Sequence, residues 1–129
     1  MTTQQEESLN RAIAEHDGWE PVHLSNGELS CFENKEGKRK QSFNYTSDLN
    51  VIVGVVQRWI ISKSRFAETA KDSDNFCPKF TIEFGDYQTC VTFWEVYHDK
   101  LITEARHKQP ALALCIAFAR AARLEWEGE

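Results

Sequence analysis

The chain has 129 residues, which suits one domain with its own hydrophobic core. Hydrophobic residues make up 41% of it and aromatic residues 12%, so the composition is that of an ordered globular protein. The formal net charge of −5 excludes a strongly basic chain, and phosphate contacts require clustered lysine and arginine. We therefore predict a single domain over residues 1–129 that does not bind nucleic acid directly.

The first predicted element is a short amphipathic helix. Residues 1–7 are polar and are expected to fray. The helical spacing that follows puts four side chains on one face: Leu9, Ala12, Ile13 and His16. Gly18 can adopt the left-handed conformation that closes a helix, so we expect the helix to end there.

The segment after this helix predicts a β-hairpin with a third strand beside it. Residues 19–24 and 29–32 have strand character, and the Asn-Gly pair at 26–27 is a hairpin turn signal. A second turn at 34–37 leads to a polar strand over 38–43. The basic cluster of the sequence lies here: Lys35, Lys38, Arg39 and Lys40. We interpret it as a solvated edge whose lysines discourage edge-to-edge pairing, with a phosphate-contacting patch as the alternative.

A longer helix is predicted to begin within Tyr45-Thr46-Ser47-Asp48-Leu49-Asn50, which we call the central motif. The hydroxyl of Thr46 or Ser47 can accept a hydrogen bond from a free backbone N–H, and Asp48 complements the positive end of the helix dipole. A packing stripe follows at helical spacing: Leu49, Ile52, Val53, Val56, Trp59 and Ile60. We expect this helix to run to Ile61 and the rest of the chain to be organised around it.

The alternative for this run is a buried strand, because residues 51–56 are rich in β-branched side chains and periodicity does not decide short apolar runs. The cap chemistry and the length of the run favour the helix. Val51 and Val55 lie outside the stripe, so the helix is expected to be buried on more than one side.

The second half of the chain predicts two further strands. Residues 62–77 are polar and include a surface loop at 72–75. Strands are predicted over 80–84 and 88–97, joined by a reversal at Gly85-Asp86. The second strand is apolar on both sides, which is typical of a central strand covered by helices on both faces.

A short edge strand around residues 101–103 and a last helix complete the prediction. Pro110 suits the first turn of that helix, since its missing N–H would have no partner there. The packing face is formed by Ala111, Leu112, Cys115, Phe118, Ala119 and Ala122. The fold class that follows is α+β: a mostly antiparallel sheet of about four to five strands with three helices packed on it, as a layered α/β/α sandwich.

The cysteines form no Cys-x-x-Cys pair, so neither a zinc knuckle nor a redox motif is indicated. They are Cys31, Cys77, Cys90 and Cys115, and we interpret them as small buried thiols, with Cys90 and Cys115 on apolar faces. Two disulfides are the formal alternative. The chain begins without a signal peptide and has no apolar run long enough for a bilayer, which favours a cytoplasmic protein without membrane association.

No catalytic set is recognisable in the sequence. The Gly-x-Ser-x-Gly signature is absent, and the six glycines are scattered, so no phosphate-cradling loop is indicated. The histidines show no His-x-x-x-His spacing. We predict no enzyme activity, no cofactor and no metal site.

Carboxylates in the second half nevertheless invite comparison with metal-dependent nucleases. They are Asp72, Asp74, Glu83, Asp86 and Glu95, and His98 could join Glu83 and Asp86 beside the sheet. Such nucleases usually have a lysine two residues after a strand carboxylate. Phe84-Gly85 follows Glu83 and Val96-Tyr97 follows Glu95, so that lysine is missing.

Polar and aromatic residues around the central motif form the remaining candidate site. In the structural interpretation, Asp48 caps the helix, Tyr45 packs its entry and Trp94 fills the core. In the binding interpretation, these side chains contact a protein partner, and an exposed Tyr97 or Trp126 would act as a hot spot. The candidate binding residues are Tyr45, Asp48, Asn50, Tyr97 and Trp126.

Three stretches of the sequence carry a family resemblance. They are Leu9-Asn10-Arg11-Ala12-Ile13-Ala14-Glu15 leading to Gly18-Trp19, then Asn44-Tyr45-Thr46-Ser47-Asp48-Leu49-Asn50, and Pro110-Ala111-Leu112-Ala113-Leu114-Cys115-Ile116-Ala117. Their order and spacing resemble the phage ABA-sandwich domain, a family of phage and prophage proteins. This chain departs from the family at Asn44, where a proline is frequent, and in a less basic last helix. The resemblance implies helices on both faces of a mostly antiparallel sheet and a phage origin, with no established activity.

The leading functional hypothesis is a small, non-enzymatic phage or prophage protein that binds another protein of the host or phage. Inhibitors of bacterial defence systems, such as anti-CRISPR proteins, are one subclass, because an acidic surface can occupy the basic channel of a nucleic-acid-binding complex. The expected location is the cytoplasm of a bacterial host cell. The alternatives are a metal-dependent hydrolase or nuclease, and a structural or regulatory phage component that acts as a homodimer.

Overall fold

The computed structural model describes residues 1–69, 77–96 and 99–128. Its elements, in chain order, are α1 (Thr3–His16), β1 (Glu20–His23), β2 (Leu29–Glu33), β3 (Arg39–Lys40), α2 (Leu49–Thr69), β4 (Pro78–Phe84), β5 (Thr89–Glu95), β6 (Lys100–His107) and α3 (Pro110–Ala121). The described part of the chain is therefore α+β with antiparallel sheets, as predicted. None of the described helices combines the length and the apolar character needed to cross a bilayer.

The first helix starts earlier than the sequence predicts. The Thr2 hydroxyl accepts a hydrogen bond from the Gln5 backbone N–H at 3.1 Å, and the Gln5 side chain accepts one from the Thr2 N–H at 2.9 Å. This reciprocal capping box satisfies two of the unpaired donors at the helix start, so residues 3–7 are helical rather than frayed. The predicted end is confirmed, because Gly18 has a φ of +98° directly after the α1 C-cap residue.

Two antiparallel three-stranded sheets replace the single predicted sheet of about four to five strands. Strands β1, β2 and β3 pair in that order, and the predicted hairpin turn is confirmed at Gly27, where φ is +88°. Strands β4, β5 and β6 form the second sheet, with β5 in the centre as predicted. Strand β3 has only two residues, both exposed, instead of the predicted strand over 38–43. It forms the short outer edge of the first sheet.

The sandwich layering is also corrected. The β5 residues Val91 and Phe93 are fully buried, and the Trp59 ring of α2 contacts the Phe93 ring with a centroid distance of 6.1 Å. Helix α3 packs along β5 and β6. Side chains of the opposite face of β5, such as Trp94, are only half-buried. Lys79, Thr81 and Glu104 of the same face are exposed, so no described helix covers it.

The core is centred on α3 rather than on the predicted central helix. Every residue from Ala111 to Ala119 is buried, because α1, α2, β5 and β6 all contact this helix. The predicted packing face included only part of that run. Pro110 occupies the first turn, as expected.

Helix α2 is confirmed as a helix, but its cap and its end differ from the prediction. The Asp48 carboxylate accepts hydrogen bonds from the backbone N–H groups of Asn50 at 3.1 Å and Val51 at 3.4 Å. Asp48 is therefore the capping residue, in place of Thr46 or Ser47. The helix continues past Ile61 to Thr69, since residues 62–69 include neither glycine nor proline. The predicted loop at 72–75 lies outside the described residues.

Candidate functional site

The central motif joins α1 to α2. The Asn10 side chain donates a hydrogen bond to the Thr46 hydroxyl at 3.0 Å and accepts one from the Thr46 backbone N–H at 3.1 Å. Tyr45 is only 4% exposed, and its ring stacks on Phe43 with a centroid distance of 5.6 Å. Burial raises the pKa of the Tyr45 hydroxyl. These contacts support the structural interpretation of Tyr45, and the role of Asp48 as helix cap supports it further.

The other candidate binding residues are scattered. Asn50 is exposed in the first turn of α2, and Tyr97 lies outside the described residues. Trp126 is only 7% exposed, so it does not meet the condition of exposure set for a hot spot. A Cβ on Gly128 would overlap the Trp126 ring, which indicates close packing of the tail over this side chain. Within the described residues, the Trp126 Nε1–H has no hydrogen-bond partner.

The four cysteines lie in two environments, and Cys77 and Cys90 are only half-buried, in contrast to the prediction that all four are buried. Cys31 and Cys115 are buried, as predicted, and burial raises the pKa of Cys115. Cys90 does not lie on an apolar face: it is paired across the strands with Arg106, and its thiol donates to a Glu104 oxygen at 3.5 Å. The alternation along β5 puts Cys90 on the polar side and Val91 in the core.

The carboxylates considered for a metal site do not converge in the described residues. Glu83 lies on the exposed side of β4, whereas Glu95 is buried on the opposite face of the sheet. Asp86 lies in the turn after β4, and Asp72, Asp74 and His98 are outside the described residues. Within the described ranges, no group of three or more histidine, cysteine, aspartate or glutamate side chains is placed to hold an ion.

The basic cluster of the β2–β3 hairpin has local partners. Lys38 lies 3.9 Å from a Glu36 oxygen, and Arg39 lies 3.5 Å from a Glu33 oxygen. The Lys40 ammonium lies 5.4 Å from the centroid of the Trp19 ring. These contacts support the solvated-edge interpretation over a phosphate-contacting patch.

The side of the second sheet that no described helix covers forms a surface that the sequence prediction missed. We call it the outer sheet face, and its members are Lys79, Thr81, Glu83, Cys90, Thr92, Trp94, Leu101, Glu104 and Arg106. Trp94 lies on the central strand, directly between Lys79 of β4 and Leu101 of β6. Leu101 is 45% exposed. The sequence signal for this surface was the alternation of β5, in which Cys90 and Thr92 share a side with Trp94.

Charges on the outer sheet face balance. Two are positive and two are negative: Lys79, Arg106, Glu83 and Glu104. Arg106 and Glu104 form an ion pair of 2.7 Å, and that hydrogen bond lowers the pKa of the Glu104 carboxyl. The face is therefore close to neutral, although the chain carries a net charge of −5.

No family model matched the chain, and no match was found among curated proteins or solved structures. The resemblance to the phage ABA-sandwich domain thus stays a prediction from the three sequence stretches.

Proposed function

We propose that this protein acts without catalysis, by binding another protein through the outer sheet face. The observation that carries the proposal is the position of Trp94, half-buried on the central strand of a face that no described helix covers. Tryptophan is enriched among the residues that dominate binding energy at protein interfaces. Lys79 and Leu101 pair with Trp94 on the two neighbouring strands, and charged residues lie further along the same face, so an apolar centre has a polar rim, which is the usual composition of such an interface.

The balanced charges of this face indicate what surface a partner would need. A partner would offer an apolar pocket for Trp94 and charges of both signs around it, rather than a uniformly basic groove. Inhibition of a bacterial defence complex remains a narrower proposal that depends on the phage resemblance. On this face, such an inhibitor would act through apolar contact and paired charges, not through imitation of nucleic acid.

The test is a comparison of Trp94→Ala with a matched surface variant. A partner is captured from host lysate on the wild-type protein at physiological salt, purified, and titrated against each variant. Trp94→Ala should weaken binding about tenfold or more, because a central aromatic contact is lost. Tyr87→Ala is the control, since Tyr87 is 90% exposed in the β4–β5 turn, at the opposite end of β5 from Trp94. Failure to capture a partner, or equal affinity of Trp94→Ala and wild type, would contradict the proposal.

A homodimer through the same face is the second candidate, and the spacing of charges on β4 favours it. Lys79 and Glu83 lie on either side of Thr81. A two-fold axis across the strands at Thr81 would place Lys79 of one copy opposite Glu83 of the other, twice. Light scattering over a concentration series tests this candidate. Lys79→Glu alone should dissociate the dimer, and the double variant Lys79→Glu with Glu83→Lys should restore it. A wild-type protein that is monomeric at every concentration would exclude the homodimer.

A further inference from the structure

A cavity of about 760 Å³ lies where the ends of α1 and α3 meet α2 and the second sheet. We call it the basic cavity, because four of its lining residues are cations: Lys63, Lys100, Arg120 and Arg123. Its volume lies within the range of small-molecule sites, which is roughly 300 to 1,000 Å³. It shares only Leu101 with the outer sheet face.

The charge of the basic cavity is opposite to that of the whole chain. Among the described residues of the lining there are four cations and one carboxylate, that of Glu95, so this part of the lining carries a formal net charge of +3, counted with His16 neutral. Burial lowers the pKa of His16 below 6.5, with Asp17 opposing the shift and Lys63 adding to it, so the neutral imidazole predominates at pH 7. The chain has a net charge of −5, and this local excess of positive charge therefore marks a site for an anion.

Local structure accounts for only two of the four cations. Cations near the end of α3 complement the negative end of its dipole, which explains Arg120 and Arg123. Lys63 belongs to α2 and Lys100 to β6, so the dipole of α3 does not explain them. None of Lys63, Lys100 and Arg123 forms an ion pair with another described side chain.

The backbone of Arg123 adds an independent observation. Its φ is +57°, the left-handed conformation that follows α3, and the next N–H, that of Leu124, donates to the Ala119 carbonyl at 2.8 Å. Glycine is the usual residue at such a position, and Gly18 occupies the equivalent position after α1. Strain of this kind is concentrated at functional sites. Arg123 is one of the residues that line the basic cavity.

The remaining wall indicates the class of ligand. Trp59, Ile102, Ala121 and Ala122 contribute apolar surface next to the cations. We propose that the basic cavity binds a nucleotide with two or more phosphates, with the phosphates on the cations and the base against the apolar wall. Arg120 is already oriented, because its guanidinium donates to the Glu104 carbonyl at 3.0 Å. This proposal does not depend on protein binding at the outer sheet face.

Calorimetric titration with ADP, ATP, inorganic pyrophosphate and adenosine tests the proposal at physiological salt. ADP and ATP should bind saturably, and pyrophosphate and adenosine more weakly, since each offers half of the contacts. Trp59 fluorescence provides a second readout, because its ring lines the cavity. Absence of ADP and ATP binding would overturn the proposal. Pyrophosphate binding as tight as that of ADP would overturn the assignment of a nucleotide.

Arg123→Gly is the decisive variant, since it removes a cation and suits the left-handed backbone. ADP affinity should fall about tenfold or more, as expected for loss of charged hydrogen bonds, while thermal stability is kept or raised. Lys63→Gln should also weaken ADP binding. Lys38→Gln, an exposed cation of the β2–β3 hairpin, is the matched control and should bind like wild type. Equal affinity of Arg123→Gly and wild type would contradict the proposed site.

Discussion

Asn10 illustrates how a single side chain fixes the junction between the first two helices. Its amide uses both ends, since the NH₂ group donates to the Thr46 hydroxyl and the oxygen accepts from the Thr46 backbone N–H. Thr46 is buried at 6% exposure, so water is a poor substitute for Asn10. The start of α2 therefore depends on a residue of α1.

Replacement of Asn10 should test this dependence. Asn10→Ala leaves the buried Thr46 N–H without its partner, and we expect the free energy of unfolding to fall by about 1–3 kcal/mol. Urea denaturation followed by circular dichroism measures the change. Asn50→Ala is the control, because Asn50 is exposed and should change stability by less than about 0.5 kcal/mol. Equal effects of the two substitutions would refute the role given to Asn10.

At the residue scale, the sequence predicted the start of α2 but not the hydrogen bonds that join it to Asn10 of α1. Thr, Ser and Asp before an apolar run are recognisable as capping residues, and the structure selects Asp48 among them. The hydrogen bonds of Asn10 to Thr46 join positions 36 residues apart, and local patterns carry no information on such pairs. Trp94 was misplaced in the core for a related reason: both sides of its strand are largely apolar, so composition alone does not tell the inner side from the outer.

Among the elements, α3 has a sequence signal for burial on every side, whereas the prediction gave it one packing face. Residues 111–119 are all apolar, which is typical of a helix buried on every side rather than on one face. The end of α2 had no such signal. Its apolar stripe stops near Ile61, yet the polar residues that follow are acceptable in a helix, so the helix continues.

Gly54 provides a test of the intrinsic stability of α2. Gly54→Ala should raise the free energy of unfolding by about 0.5–1 kcal/mol, because glycine inside a helix is entropically unfavourable. The nearest atom to the added Cβ is an Arg58 guanidinium nitrogen at 3.4 Å, the end of a flexible side chain. Thermal unfolding measures the shift. Gly85→Ala is the matched control and should destabilise, since its Cβ would lie 2.8 Å from the Gln88 carbonyl oxygen; a stabilising effect there would undermine the argument.

For the whole molecule, the sequence identified the hairpins but not how they combine. Each sheet is a local meander whose strands follow one another along the chain. Turn signals predict such neighbours, whereas nothing in the sequence specifies whether two meanders share one sheet. The outer sheet face, which no described helix covers, follows from that arrangement, and the alternation of β5 alone does not show which of its two sides is exposed.

The pH dependence of global stability should report on His16, which joins three elements. Its ring meets the Phe118 ring edge-on with a centroid distance of 5.4 Å, and it lines the cavity beside Lys63 of α2. Burial is the main cause that lowers the pKa of His16 below 6.5; Lys63 lowers it further, and Asp17 opposes the shift. The unfolded chain therefore binds a proton that the folded chain does not, in the range just below pH 6.5.

Because the pKa of His16 is lower in the folded chain, its contribution to stability is complete above the unfolded pKa of 6.5. That contribution is lost as the pH falls through the folded pKa. His16→Gln should make the decline of unfolding free energy shallower as the pH falls below 6.5. Urea titrations across that range measure the two slopes. Parallel profiles for wild type and His16→Gln would show that another group is responsible.

Leu101 belongs to both surfaces described above, since it pairs with Trp94 on the outer sheet face and also lines the basic cavity. Occupants of the two surfaces would therefore share one side chain and become thermodynamically linked. Linkage is reciprocal: if a nucleotide changes the affinity for a protein partner by some factor, the partner changes nucleotide affinity by the same factor. Leu101→Ala should then reduce that cooperativity more than it reduces either affinity alone.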